Sequence, residues 1–129
     1  DGAAKLSDLH ALNTESWSWS EPITNGNPPS PRCGQTGTLV NKLLFVIGGV
    51  GDGAADAYGP PQELSDVHVL DTESWTWWSP SVSPPLPPIA FHCAALTADK
   101  IFLFGGSTRD ALYNDLLMLN TENSRWQVV

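Results

Sequence analysis

The chain has 129 residues, 41% of them hydrophobic, with six basic against fourteen acidic side chains and a formal net charge of −8. That balance excludes the basic footprint that nucleic-acid binding requires and gives no attraction to anionic membrane surfaces. No apolar run approaches the roughly 18 residues of a spanning helix, and no basic-then-apolar segment opens the sequence.

Eleven Gly, eleven Pro and six Trp, with few helix-period segments, favour an all-β domain rich in turns. In chain order, two short strands are expected at 9–12 and 17–20, and a Pro/Asn/Gly loop at 21–31. An inner strand follows at 35–40, then a strand over Leu43–Ile47 and a long loop at 50–63. Strands at 66–70 and 75–78 come next, then a Pro-rich loop at 79–88. The last four strands are expected at 92–96, Lys100–Phe104, 115–119 and Arg125–Val128. Leu43-Leu44-Phe45-Val46-Ile47, Val67-His68-Val69-Leu70 and Leu116-Leu117-Met118-Leu119 are short apolar runs, which suit strands buried on both faces. Asp71-Thr72-Glu73-Ser74 and Asn120-Thr121-Glu122-Asn123 are turn chemistry, because Asx and Ser/Thr side chains bond their own backbone.

These elements recur. Residues 64–77 read LSDVHVLDTESWTW; residues 6–19 read LSDLHALNTESWSW, identical at ten of fourteen positions; residues 113–126 read YNDLLMLNTENSRW in the same frame. The frame aligns Asp8, Asp66 and Asp115, and it aligns Trp19, Trp77 and Trp126. A second element, LFVIGG at 44–49, returns as IFLFGG at 101–106, 57 residues on. Self-similarity at this spacing marks repeated supersecondary units. A hydrophobic strand ending in Gly-Gly, then a polar loop, then D-[LV]-x-x-[LV]-[DN]-T-E and a Trp, resembles the kelch repeat over nearly the whole chain. The resemblance implies a β-propeller in which each repeat is one four-stranded antiparallel blade. It divides the chain into a half blade at 1–20 and full blades at 21–78 and 79–129. Closed propellers have about four to eight blades, so two and a half imply a segment of a larger kelch propeller. The remaining blades would come from the same longer chain or from other subunits.

Several motifs invite chemical readings. Gly48-Gly49-Val50-Gly51-Asp52-Gly53 has the look of a phosphate loop, but no helix pattern and no Gly-Lys-Ser/Thr follow it. Pro84-Pro85-Leu86-Pro87-Pro88 lacks a flanking basic residue and is better taken as a stiff inter-blade loop than as a polyproline ligand. His10 and His68 are equivalent repeat positions, and His92 stands alone, so no metal-ligand set converges in the sequence. Kelch repeats often carry Pro-x-x-Arg-x-x-His ahead of the inner strand. Here Gln35 stands in place of the His, and Ile89 in place of the Arg. The repeated acids, Asp8, Asp66, Asp115, Glu15, Glu73 and Glu122, follow the fold period and are expected to be architectural. Cys33 and Cys93 are not repeat-equivalent and are expected as reduced, half-buried strand thiols. With no N-x-[ST] sequon present, they point to a cytoplasmic protein.

The feature that breaks the repeat is loop 50–63, more than twice as long as its counterpart at 107–112. Long non-repeated loops on a repeat scaffold are where binding resides. By resemblance, this loop, its counterpart and the inter-blade loops would line one mouth. The partner-binding candidates are Asp52, Asp56, Tyr58, Glu63, Arg109, Asp110, Arg32 and Phe91. The expected function is non-catalytic: a protein–protein interaction or scaffold module without cofactor or metal, whose acidic loop favours a basic partner. The alternatives are a permanent structural subunit of a large assembly and an enzyme on a propeller scaffold. The latter would need a Tyr/His metal cluster, with only Tyr58 and Tyr113 at hand.

Overall fold

The computed structural model of the protein describes residues 5–52 and 60–129, and within them the regular structure is all strand and turn. The strands are β1 (Ala11–Asn13), β2 (Ser18–Ser20), β3 (Asn25–Gly26), β4 (Arg32–Cys33), β5 (Thr36–Val40), β6 (Leu43–Ile47) and β7 (Val50–Gly51). They continue with β8 (Gln62–Glu63), β9 (Val67–Asp71), β10 (Thr76–Trp78), β11 (Cys93–Thr97), β12 (Lys100–Phe104), β13 (Leu116–Asn120) and β14 (Arg125–Val128). β1 and β2 form a hairpin; β3-β10-β9-β6-β5 and β11-β12-β13-β14 are two larger sheets; β4-β7-β8 is a small third one. The bounds of β6, β12 and β14 are those expected from sequence. The third strand of each large sheet starts one residue later than expected, at Val67 and Leu116.

The core lies between the two larger sheets. Val40, Phe45, Ile47, Val67 and Val69 meet Ile101, Leu103, Leu119 and Trp126, and Leu86 and Ile89 of the connecting loop complete the cluster. β9 is buried on both faces, as its apolar run requires: Val67 and Val69 point into the core and Leu70 is buried opposite. β12 differs. Ile101 and Leu103 are buried, whereas Phe104 is exposed, because no described residue covers the far face of this sheet.

The repeated polar residues build the turns. Asn13, Asp71 and Asn120 end equivalent strands, and each side-chain Oδ1 accepts two backbone N–H bonds. The donors are Glu15 and Ser16 at 2.9 and 3.0 Å, Glu73 and Ser74 at 2.8 and 3.2 Å, and Glu122 and Asn123 at 3.0 and 3.4 Å. The backbone donors of Glu73, then Ser74, hold the Asp71 carboxyl below the usual range. Each turn closes through a left-handed residue at the same place: Trp17 (φ 53°), Trp75 (φ 52°) and Ser124 (φ 54°). The Thr of the motif ties this turn to the neighbouring hairpin. Thr72 N and Oγ1 both donate to Lys42 O at 2.9 Å, and Thr121 N and Oγ1 donate to Asp99 O at 3.0 and 2.8 Å.

The hairpins that receive these bonds have left-handed residues at Asn41 (φ 56°) and Ala98 (φ 53°). Asn tolerates that region and Ala does not, at about 1–2 kcal/mol per residue. Ala98→Asn is therefore expected to stabilise the protein by about 1 kcal/mol. Urea unfolding of the intact protein measures it, and a neutral or destabilising result would show that other contacts decide the turn.

The Gly-Gly pairs end β6 and β12 for a conformational reason. Gly48 and Gly49 have φ of 60° and 102°, and Gly105 and Gly106 have 67° and 95°. Side chains rarely adopt two such values in succession. The loops leading into each large sheet run first along that sheet's outer strand. β3 pairs in parallel with β10, through Asn25↔Thr76 and Gly26↔Trp77, and Ser83 bridges Arg125 in the same sense. Part of each outer edge is thereby covered, at Thr76 and Trp77 of β10 and at Arg125 of β14.

Candidate functional site

The small sheet β4-β7-β8 gathers the irregular segments at one end of the strands. Arg32↔Gly51 and Cys33↔Val50 join the end of the inter-sheet loop to the start of loop 50–63, and Val50↔Glu63 and Gly51↔Gln62 pair the two ends of that loop. The loop is thus a short ladder at its base, which its sequence did not suggest. The equivalent segment of the next repeat does the same with single bridges, Ala90↔Ser107 and Ser107↔Leu112.

The two loop sets are tied together across the repeats. The Glu63 carboxylate accepts the Arg109 backbone N–H at 2.6 Å, and Arg109 Nη2 donates to Pro61 O at 3.3 Å. Phe91 N donates to Gly34 O at 2.8 Å. Gly34 (φ 69°) and Phe91 (φ 57°) are repeat equivalents, both left-handed. A Cβ on Gly34 would lie 2.8 Å from the Phe91 ring, so only glycine lets the ring sit there. That ring is 64% exposed. Asp52 accepts from Lys5 Nζ at 2.5 Å, and Asp110 is exposed.

Among the expected site residues, the structure therefore joins Glu63 to Arg109, and it seats Phe91 on Gly34, beside the Cys33↔Val50 pair at the start of loop 50–63. Asp52 lies one residue beyond β7, and Asp110 follows Arg109. Asp56 and Tyr58 lie outside the described residues. Arg32 is elsewhere: its side chain is 2% exposed and fully engaged. Nη1 and Nη2 donate to Asp66 Oδ1 and Oδ2 at 2.6 and 2.9 Å, Nη1 also donates to Gly48 O at 3.0 Å, and Nε and Nη2 reach Ser30 O and Oγ at 3.0 and 3.2 Å. Every direction of the guanidinium is used inside the fold, so Arg32 offers nothing to a partner. Burial pushes the Asp66 carboxyl up, but hydrogen bonds from Arg32 and then His68, with their charges, outweigh it and hold it well below the usual range. Asp8 repeats the contact with the His two residues on, at 2.8 Å from His10 Nε2, as Asp66 makes with His68 at 3.0 Å. The repeated aspartates at 8 and 66 are thus spent on their own frames, as their period implied.

Cys33 and Cys93 are free thiols and exposed rather than half-buried, because their strands lie at the open ends of their sheets. His92, one residue before β11, is a contact that sequence reasoning left unassigned. Its Nε2 lies 2.8 Å from Thr36 Oγ1 of the other large sheet, and its Nδ1 has no partner. Burial lowers its pKa below the ordinary 6.5. The unfolded chain then binds a proton that the folded chain resists, so stability is lost as pH falls from that ordinary value towards the depressed one. His92→Gln, which installs the residue of the preceding repeat, is expected to shrink the fall in Tm between about pH 7.5 and about pH 5.5. An unchanged fall would place that pH sensitivity elsewhere.

Among the described residues no group of three or more His, Cys, Asp or Glu converges as a metal site, and no helix is long and apolar enough to cross a membrane. The family model described as the KLHDC2/KLHL20/DRC7 Kelch-repeats domain matches residues 1–129. The chain is similar to Kelch domain-containing protein 2 of Bos taurus, 36% identical over 105 residues, which cover 79% of this chain and 24% of that protein. It is similar to Rab9 effector protein with kelch motifs of Rattus norvegicus, 34% identical over 119 residues, covering 90% of this chain and 30% of that one. It is also 36% identical over 121 residues to Acyl-CoA-binding domain-containing protein 5 of Arabidopsis thaliana, with coverages of 92% and 17%. The chain thus spans under a third of the length of each of these relatives. The recurring Gly-Gly pairs, Asx turns and antiparallel ladders are those of a kelch propeller, and the chain belongs to the Kelch-repeat family.

Proposed function

We propose that the chain binds a protein partner through the loop cluster around Phe91, Glu63 and Arg109, as a non-catalytic interaction module. Kelch-repeat domains generally mediate protein–protein interaction, and among the relatives one is named an effector of Rab9. The observation that carries the proposal is Phe91. Its left-handed backbone is that of its repeat equivalent Gly34, but it carries a bulky ring where the earlier repeat carries no side chain. Here it holds an exposed aromatic ring over Gly34, next to the loops that break the repeat. Aromatic anchors of this kind dominate binding energy at interfaces. Loop 50–63, with Asp52 and Asp56, adds charge that steers a basic partner. Two exposed free thiols fit a reducing, cytoplasmic compartment.

The test is partner affinity in the intact protein. Phe91→Gly takes the residue of the equivalent position, relieves the strained φ and removes the ring. It is expected to leave the fold intact and to weaken binding by tenfold or more, as for an anchor worth about 2 kcal/mol. Shortening loop 50–63 to the length of 107–112 is expected to weaken binding too. Unchanged affinity in both variants would remove this cluster from the site.

A further inference from the structure

The repeat frame aligns Arg32 with Ile89, Gly48 with Gly105, and Asp66 with Asp115. The scaffold around these positions is the same in both copies: Gly48 N donates to Asp66 O at 3.1 Å, and Gly105 N donates to Asp115 O at 3.2 Å. In the earlier copy the Asp carboxylate, the Gly carbonyl and the residue-30 backbone hold the guanidinium of Arg32. In the later copy the arginine is missing. Ile89 brings no donor, Asp115 is exposed and makes no ion pair among the described residues, and a cavity of about 260 Å³ stands beside them. Ile89, Gly105, Tyr113, Asp115 and Leu117 line it.

We infer that this cavity takes an arginine side chain presented by a partner protein. The frame that binds Arg32 supplies the pattern: a carboxylate placed for two parallel bonds, below a glycine turn. A planar fork matches that pattern and a point-charge ammonium does not. The walls suit the rest of the side chain. Ile89 and Leu117 offer apolar surface for the methylene stem, and Tyr113 brings an aromatic ring within reach of the cation. The acidic balance of the chain draws such a group in. This site is separate from the Phe91 cluster and rests on the interaction proposal only for the source of the arginine.

The intact protein titrated with N-acetyl-arginine amide tests it, with amide NMR shifts at Gly105, Tyr113 and Leu117 as the signal. Saturable shifts are expected. N-acetyl-citrulline amide, the neutral isostere, and N-acetyl-lysine amide are expected to bind about tenfold more weakly. Asp115→Asn is expected to lose about the same factor. Ile89→Arg, which installs the chain's own guanidinium, is expected to abolish the response. Should Ile89→Arg fail to fold, Asp115→Asn decides, since Asp115 lies at the surface. Equal binding of the citrulline or lysine probe, or unchanged binding in Asp115→Asn, would overturn the assignment. Shortening loop 50–63 should leave the probe response unaltered, so failure here and failure of the Phe91 proposal are told apart.

Discussion

Replacing Arg32 by isoleucine, the residue that the next repeat carries, is expected to destabilise the protein by about 3 kcal/mol, the lower end for a broken buried ion pair. The side chain is 2% exposed and donates to five acceptor atoms, three of them on Gly48 and Ser30. Its loss leaves Asp66 with His68 alone and leaves the Gly48 carbonyl short of a buried donor. Asp66 keeps contact with water, which is why the lower end applies. Adding Asp66→Asn to the variant should recover part of the loss, because the uncompensated charge goes with it. A pH series gives an independent check. The Asp66 carboxyl is held below its ordinary value in the folded chain, so its contribution is present above the unfolded pKa and disappears as pH falls through the folded one. Arg32→Ile should flatten that acid limb. If urea midpoints of the variant match the parent at neutral pH, the pair is not stabilising.

Trp77→Ala is expected to cost about 3–5 kcal/mol, whereas Trp19→Ala should stay within about 0.5 kcal/mol. These rings and that of Trp126 follow the same turn and face the same partner position: Trp19 is opposite Leu12, Trp77 opposite Leu70, and Trp126 opposite Leu119. Their surroundings differ. Trp77 is 6% exposed, in a sheet with Leu44 and Val46 nearby; Trp19 is 68% exposed, in a two-stranded hairpin. Equivalent register with unequal burial predicts unequal cost, and thermal unfolding of the two variants side by side measures it. Equal losses would mean that Trp19 is covered in solution.

Much of the scaffold was legible because period and turn chemistry are local. The run Leu43–Ile47 and its bounding residues Asn41 and Gly48 define a strand without outside help. The same holds for Lys100–Phe104. The one-residue shift of β9 and β13 has a shared tertiary cause: the Asp66 and Asp115 carbonyls accept from Gly48 and Gly105 outside the ladders, while Asp71 and Asn120 stay in them opposite Leu43 and Lys100. Arg32 itself reads from sequence as a surface residue because it ends a polar loop. Its burial depends on Asp66, 34 residues away, and nothing near it in the chain announces that. The two-residue strands β4, β7 and β8 are too short to carry a period. Phe91 was named from its place in the loop, but its left-handed backbone shows only in three dimensions.

The parallel pairing of each leading loop with the outer strand of its own sheet has a kinetic consequence. Asn25 meets Thr76 and Ser83 meets Arg125, so the segment made first in each unit is fastened by the strand made last. A nascent chain can zip β9 onto β10 at once, since only a short turn separates them. The fastening must wait for the whole unit and bears the entropy of closing so long a loop. Until then the outer strand stands open, and non-local contacts of this kind slow folding. During synthesis, each unit therefore passes through a stage in which its whole edge can still pair with a stranger, and the docking of Asn25–Gly26 or Ser83 shortens that edge.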